Sequence, residues 1–79
     1  MDIRTLITID PDILGGTPVF TGTRVPIQSL FDHLETGVPL DEFLDDFPSV
    51  SKWQAVDLLK VASQLLTAKN VAQLYAAVA

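Results

Sequence analysis

The fold of this chain is decided by residues 26–54, which read PIQSLFDHLETGVPLDEFLDDFPSVSKWQ. Apolar residues recur there at the i, i+3, i+4, i+7 spacing of an amphipathic helix, once over residues 27–34 and again over residues 40–47. Pro26 suits the first position of the first helix and Gly37 suits its C-terminal stop, while the proline after Phe47 ends the second. The stretch therefore predicts two short helices in succession.

A longer third helix is predicted from residue 51 to residue 66 or 67. Ser51 and Gln54 have the spacing of a capping box, in which the serine caps the first turn and the glutamine reaches back. Trp53 is interpreted as a core side chain, because its spacing to Val56 continues into an apolar stripe with Leu59 and Leu66. The three helices with a turn between the second and third resemble a helix-turn-helix.

The ends of the chain complete the predicted fold. Residues 4–10 alternate as a short strand, with Thr5, Ile7 and Ile9 on one side. Gly22 is expected at the turn between two extended pieces, residues 17–20 and 23–25, which form either a small hairpin or an extended loop. Asn70 is expected to cap a last short helix. We predict one mainly α domain, with a β or extended arm at 1–25, a helical core at 26–67 and a helical tail at 68–79.

Composition limits the function. The 79 residues are 48% hydrophobic and 19% charged, and the mean hydropathy is +0.35. So small a core cannot readily hide that much apolar surface, so we expect self-association, as a homodimer, or a protein partner. The sequence contains no cysteine, which excludes a disulfide scaffold and thiolate zinc sites. No cofactor is expected.

Charge narrows the class of partner. Ten acidic side chains against five basic ones give a net charge of −5 and a pI near 4.3. A basic face usually supplies the affinity for phosphate backbones, so we expect DNA binding to be weak, or to need a complex with a partner. The first residues lack the cationic and then apolar pattern of a signal peptide, and we expect a cytoplasmic protein that does not enter a membrane.

Catalysis is not expected. The glycines do not form a phosphate-binding G-x-G-x-x-G pattern. Ser29 and His33 lie one turn apart on a helix, but this pair lacks an orienting third group and oxyanion donors, and His33 is interpreted as a solvated surface side chain.

Two polar groups of residues remain open to a binding role. Ser51, Lys52 and Gln54 begin the third helix, where groove contacts to DNA would lie, although this geometry is also a common way to pack three helices. Asp45 and Asp46 follow Asp41 and Glu42 on the second helix. A solvated face is the first interpretation of these acids and a basic protein partner the second; a magnesium site comes last, because a single helical face gives poor octahedral geometry.

A set of short motifs resembles the domain-of-unknown-function 433 family over residues 7 to about 62. The motifs are Asp10-Pro11, Gly15-Gly16, Pro18, Gly22-Thr23-Arg24, Gly37 and Phe47-Pro48. The resemblance implies an N-terminal β segment and a homeodomain-like three-helix core, with no catalytic residues. Its members are commonly encoded beside PIN-domain-type ribonuclease toxins and are regarded as their antitoxins. This chain departs from the family at Val38-Pro39-Leu40, which lacks a serine cap, and at Trp53.

We therefore expect an antitoxin of a type II toxin–antitoxin pair, whose alternatives are a stand-alone DNA-binding regulator and a dimerisation module. The resemblance implies an acidic toxin site, into which Arg24 or Arg4 would insert, unless Arg24 pairs locally with Asp10 or Asp12. Asp45 and Asp46 are the alternative contacts. The tail is expected to dock across a subunit boundary, on a second copy or on the toxin, through Val71, Leu74, Tyr75 and Val78. The alternative is that it folds back on its own core.

Overall fold

A computed structural model describes residues 2–78, without the side chains at positions 69, 70 and 78. The chain is mainly helical, with a short antiparallel pair of strands at its N-terminal side. The elements in order are a 3-10 turn at Ile3–Thr5, β1 at Ile7–Thr8, a second 3-10 turn at Leu14–Gly16, β2 at Val19–Phe20, α1 at Ile27–Glu35, α2 at Leu40–Asp46, α3 at Lys52–Thr67 and α4 at Lys69–Val78.

The predicted first strand is present only in part. Asp2 accepts a hydrogen bond from the backbone N–H of Arg4 (2.9 Å) and begins a 3-10 turn, so the extended segment is limited to β1. The predicted alternation is wrong: Leu6 is completely buried, whereas Ile9 is 69% exposed. The position and the buried face of a strand this short depend on the strand with which it pairs. Alternation along the sequence does not reveal that partner.

The turn at Gly22 is confirmed, but residues 23–25 form no strand, and the two sides of the turn are joined by a single bridge between Val19 and Pro26. The main sheet pairing of β2 is instead with β1, in the register Ile7 opposite Phe20 and Thr8 opposite Val19. The region from 18 to 27 therefore connects the N-terminal arm to α1.

The first two helices are confirmed nearly to the residue. Gly37 has φ +85°, and backbone N–H groups at Gly37 and Val38 donate to the carbonyls of Leu34 (3.1 Å) and His33 (2.9 Å). This is a Schellman motif, the geometry for which glycine after a helix is selected. α2 ends at Asp46, with Phe47 as its C-cap.

The core lies between β2 and the first halves of the helices. Its buried members are Phe20, Leu30, Phe43, Val50, Ala55 and Leu58. Phe20 and Phe43 have ring centroids 6.3 Å apart, which joins the β arm to α2. The predicted stripe on α3 is wrong in part: Ala55 and Leu58 form its buried face, Val56 and Leu59 are half-buried, and Leu66 is 67% exposed.

The C-terminal helix begins one residue before Asn70, so Asn70 is not at the position predicted for its cap. Ala68 alone, in extended conformation, separates α3 from α4. Across residues 2–78, no helix is both long and apolar enough to cross a membrane.

Candidate functional site

The turn at Thr21–Arg24 is built by its own backbone and by Thr23. Gly22 has φ +80°, a left-handed conformation that glycine adopts without steric cost. The hydroxyl of Thr23 donates to the carbonyl of Phe20 (2.8 Å) and accepts from the N–H of Val25 (3.0 Å). The turn is therefore held without any contribution from the Arg24 side chain.

Arg24 is exposed on this turn. Within residues 2–78 its guanidinium makes no ion pair or hydrogen bond, so the alternative of a local pair with Asp10 or Asp12 is wrong. Asp10 instead accepts a hydrogen bond from the backbone N–H of Asp12 (2.9 Å), which turns the chain after β1. The fold thus presents a cation that it does not use internally.

Arg4, the other candidate cation, is engaged. Its guanidinium lies 2.9 Å from a carboxylate oxygen of Asp2, and the side-chain hydrogen bonds from Arg4 lower the pKa of Asp2 below its usual value. Both side chains are solvent-exposed, so the pair is readily opened. Arg24 is nevertheless the cation that requires no rearrangement.

The remaining family-motif residues shape the approach to this turn. Leu14, Gly15 and Gly16 have consecutive positive φ values of 49°, 64° and 93°. The hydroxyl of Thr17 donates to the carbonyl of Leu14 (2.9 Å), and the carbonyl of Pro18 accepts from the N–H of Ile27 (3.0 Å). Gly15, Gly16 and Pro18 therefore serve to direct the chain from β1 into β2.

The predicted DNA contacts at the start of α3 do not form one exposed group. Gln54 is 7% exposed: its amide donates to the carbonyl of Thr21 (2.9 Å), and its carbonyl accepts from the backbone N–H of Ser51 (3.0 Å) and from the Ser51 hydroxyl (3.0 Å). The capping box is confirmed, but the interpretation of Gln54 as a groove contact is wrong because the fold uses both ends of its amide. The Ser51 hydroxyl is likewise used within the box.

The other two side chains near this end of α3 are exposed. Lys52 Nζ lies 4.0 Å from Asp41, in a pair that is open to solvent. Trp53 is 55% exposed, so its interpretation as a core residue is wrong. The buried face of α3 passes through Gln54, Ala55 and Leu58, and Trp53 lies beside that face.

The acidic residues of α2 remain on the surface. Asp45 and Asp46 are exposed in its last turn, and neither takes part in an ion pair with the described residues. No group of three or more metal-ligating side chains occurs in the described part of the chain.

His33 has a structural role that sequence reasoning missed. Its Nδ1 donates to the carbonyl of Ser29 (2.6 Å), and its ring lies edge-on to Phe43 and Phe47, with centroid distances of 5.3 and 5.5 Å. The prediction of a solvated side chain is wrong, because α2 covers the histidine. The i, i+4 spacing of Leu30 and Leu34 around it was a signal that this side of α1 faces another element.

The predicted interface in the tail is strongly exposed. Leu74 and Tyr75 on α4 are 66% and 77% exposed, whereas Val71 is half-buried. The side chain of Val78 lies outside the described residues. Leu65 and Leu66 at the end of α3 are also exposed. The helices of the tail thus carry a second candidate surface, separate from the turn at Arg24.

Two shallow clefts have small-molecule dimensions but little polar convergence. One, of about 330 Å³, is lined by Ile3, Asp57, Lys60, Val61 and Gln64, and the other, of about 220 Å³, by Thr17, Pro18, Ile27, Gln28 and Phe31. Asp57 and Lys60 pair with each other at 3.9 Å, which satisfies the charges of the larger cleft. Neither of these two clefts therefore offers a candidate site.

Comparison with known proteins decides the family. The sequence model of the family described as Protein of unknown function (DUF433) matches residues 7–61. The chain belongs to the DUF433 family. Its match includes the turn at Arg24 and ends inside α3, so α4 lies beyond the DUF433 region.

The chain is also similar to part of a longer protein. The chain is 43% identical over 47 residues to "Uncharacterized protein y4eO" of Sinorhizobium fredii, a match that covers 60% of this chain and 21% of that protein. The chain thus matches about a fifth of the length of this relative. No solved structure shows significant similarity.

Proposed function

We propose that this DUF433 chain is the non-enzymatic antitoxin of a type II toxin–antitoxin pair, acting in the cytoplasm by binding and neutralising a PIN-type ribonuclease toxin. The observation that carries the proposal is Arg24, an exposed guanidinium on a turn that the fold holds rigid by other means. Because the backbone of this turn is already ordered, binding a partner would restrict only the Arg24 side chain.

Arginine suits the acidic site that the family resemblance implies for the toxin. Its planar guanidinium can bind a carboxylate through two parallel hydrogen bonds, and it stays charged when it is desolvated. Arg24 inserted among the carboxylates of a nuclease would occupy the place of the catalytic metal ions. This is inhibition by occupation of the site.

The acidic end of α2 supplies a second contact. Asp45 and Asp46 are exposed and without internal partners among the described residues, and the net charge of −5 favours approach to a basic surface. A ribonuclease needs basic residues around its site to hold RNA. Electrostatic attraction of this kind raises the association rate and falls with salt.

The test is co-expression with the product of the neighbouring gene, followed by co-purification and a ribonuclease assay. We expect a stable complex in which RNA cleavage is suppressed. Arg24→Ala should weaken the complex by about 2–5 kcal/mol, the usual cost of truncating one partner of a buried charge pair. Arg4→Ala is the matched control, and it should leave affinity nearly unchanged. Failure of the unaltered chain to bind or inhibit the neighbour would contradict the proposal.

Regulation of its own promoter is proposed for the complex and not for the isolated chain. Of the three residues at the start of α3, only Lys52 is exposed and charged, and five basic side chains cannot neutralise many phosphates. Tight sequence-specific binding by the isolated chain at physiological salt would instead favour the stand-alone regulator.

A further inference from the structure

The end of α3 and all of α4 extend away from the core. The buried and half-buried residues that form the core end at Leu59, whereas α3 continues to Thr67 and α4 to Val78. The radius of gyration is 14.1 Å, compared with about 12 Å for a compact domain of this length. The principal extents of 41 × 31 × 22 Å agree with a projecting arm.

The short connection explains why the largest apolar side chains of this arm stay exposed. Antiparallel helices that pack side by side are joined by a loop of about 2–5 residues. Here Ala68 alone separates the two helices, and this connection is too short for α4 to fold back along α3. Leu66, Leu74 and Tyr75 consequently remain 66–77% exposed.

We propose that this arm is a homodimerisation surface, whose occupant is the same arm of a second copy of this chain. We call it the tail surface and define it by three exposed large side chains, Leu66 near the end of α3 and the neighbouring Leu74 and Tyr75 of α4. A two-fold axis would place the tail surfaces of two chains against each other, so that each patch meets its own copy.

Charge is the argument for a second copy. All ten acidic side chains of this chain lie at or before Asp57, and from residue 61 to residue 79 the only charged side chain is Lys69. Two chains with a net charge of −5 repel each other through most of their surfaces. The tail surface is where they can meet without opposing carboxylates.

Area is consistent with a reversible dimer. The three side chains are each 66–77% exposed, which gives an apolar patch no larger than the few hundred Å² that a typical monomer carries. An interface burying that area on each partner is at the small end of specific association. We therefore expect a dimer whose population depends on protein concentration. The toxin-binding turn at Arg24 lies in the DUF433 region, outside the tail surface.

The first experiment is sedimentation of the full chain over a wide range of concentration. We expect the mass to rise from 8.6 kDa toward twice that value. The variants Leu74→Glu and Tyr75→Glu, which place an acid in the acid-free segment, should remain monomeric throughout. Ile9→Glu is the matched control, since Ile9 is 69% exposed but lies outside the tail surface, and it should dimerise like the unaltered chain.

A second measurement keeps the proposal testable if a glutamate disturbs α4. The chain has no cysteine, so a single introduced thiol reports one position only. Ala76→Cys treated with a flexible bifunctional maleimide should give cross-linked dimers, and Ile9→Cys should not. Circular dichroism checks that each variant retains its helices.

Three results would overturn the proposal: a monomer at every concentration, a dimer that persists in both glutamate variants with α4 intact, or equal cross-linking at positions 76 and 9. A tail that docks on the toxin instead would give the first of these results. Binding of the toxin by Tyr75→Glu is measured separately, so the dimer and the antitoxin activity can fail independently.

Discussion

At the residue scale, Gln54 joins the two parts of the molecule. Its amide spans from the N-cap of α3 to the carbonyl of Thr21, which itself follows β2. Thr21 in turn donates its N–H to Leu6 (3.0 Å), so one side chain connects α3 to the N-terminal arm. A polar side chain can be buried this deeply because each of its hydrogen-bonding groups has a partner.

Gln54→Ala should therefore destabilise the fold by about 2–3 kcal/mol, because it removes the capping box and leaves a part-buried carbonyl unsatisfied. Urea unfolding measures the change. Lys52→Ala, at the neighbouring exposed position, should alter the free energy of unfolding by less than about 0.5 kcal/mol. Equal effects of the two substitutions would show that Gln54 does not connect the arm to α3.

Gly22 gives a second prediction at this scale. An added Cβ would meet no atom within 4 Å, so the cost of Gly22→Ala is conformational only. We expect a loss of about 1–2 kcal/mol from the left-handed backbone, and a smaller loss for Gly22→Asn, which tolerates that conformation. The two variants are compared by the midpoints of their denaturant unfolding curves, provided that the slope of the free energy against denaturant is the same. A neutral Gly22→Ala would contradict the turn geometry.

Gln54 and Trp53 show how far a sequence defines individual positions. The Ser-x-x-Gln spacing predicted the capping box. The same pattern indicated that the side chain of Gln54 is used inside the protein, as a hydrogen-bond partner of Ser51. Trp53 was assigned to the core by size and spacing. Its neighbours Gln54, Ala55 and Leu58 determine the buried face, which a single spacing to Val56 did not define.

At the element scale, helices with strong end signals were predictable and short extended segments were not. Gly37 ends α1, and Pro48 follows the C-cap of α2, as their conformational preferences require. The strand at 7–8 depends on pairing with residues 19–20, and no local pattern carries that information. The exposure of Arg24 also depends on tertiary structure, since the sequence alone left both a local ion pair and a partner contact open for this side chain.

α3 divides into a packed half and a projecting half, which leads to a prediction about truncation. Removal of residues 69–79 should change the free energy of unfolding by less than about 1 kcal/mol, because the core cluster contains no residue beyond Leu59. The measurement is thermal unfolding at concentrations where the full chain is monomeric. Loss of cooperative unfolding in the truncated chain would show that α4 supports the core.

At the scale of the whole molecule, charge is distributed unevenly. Acidic side chains occupy the DUF433 region and its N-terminal flank, while the projecting tail is nearly uncharged. Salt should therefore act differently on the two proposed interactions. We expect raised salt to weaken toxin binding, which depends on Arg24 and the acids of α2, and to leave dimerisation unchanged or strengthened.

The most direct test is the affinity of the purified chain for the product of its neighbouring gene, measured for the unaltered protein, Arg24→Ala and Arg4→Ala. The account predicts tight binding with inhibition of RNA cleavage, a loss of tens- to thousands-fold in affinity for Arg24→Ala, and near-normal affinity for Arg4→Ala. No binding by the unaltered chain, or full inhibition by Arg24→Ala, would contradict it.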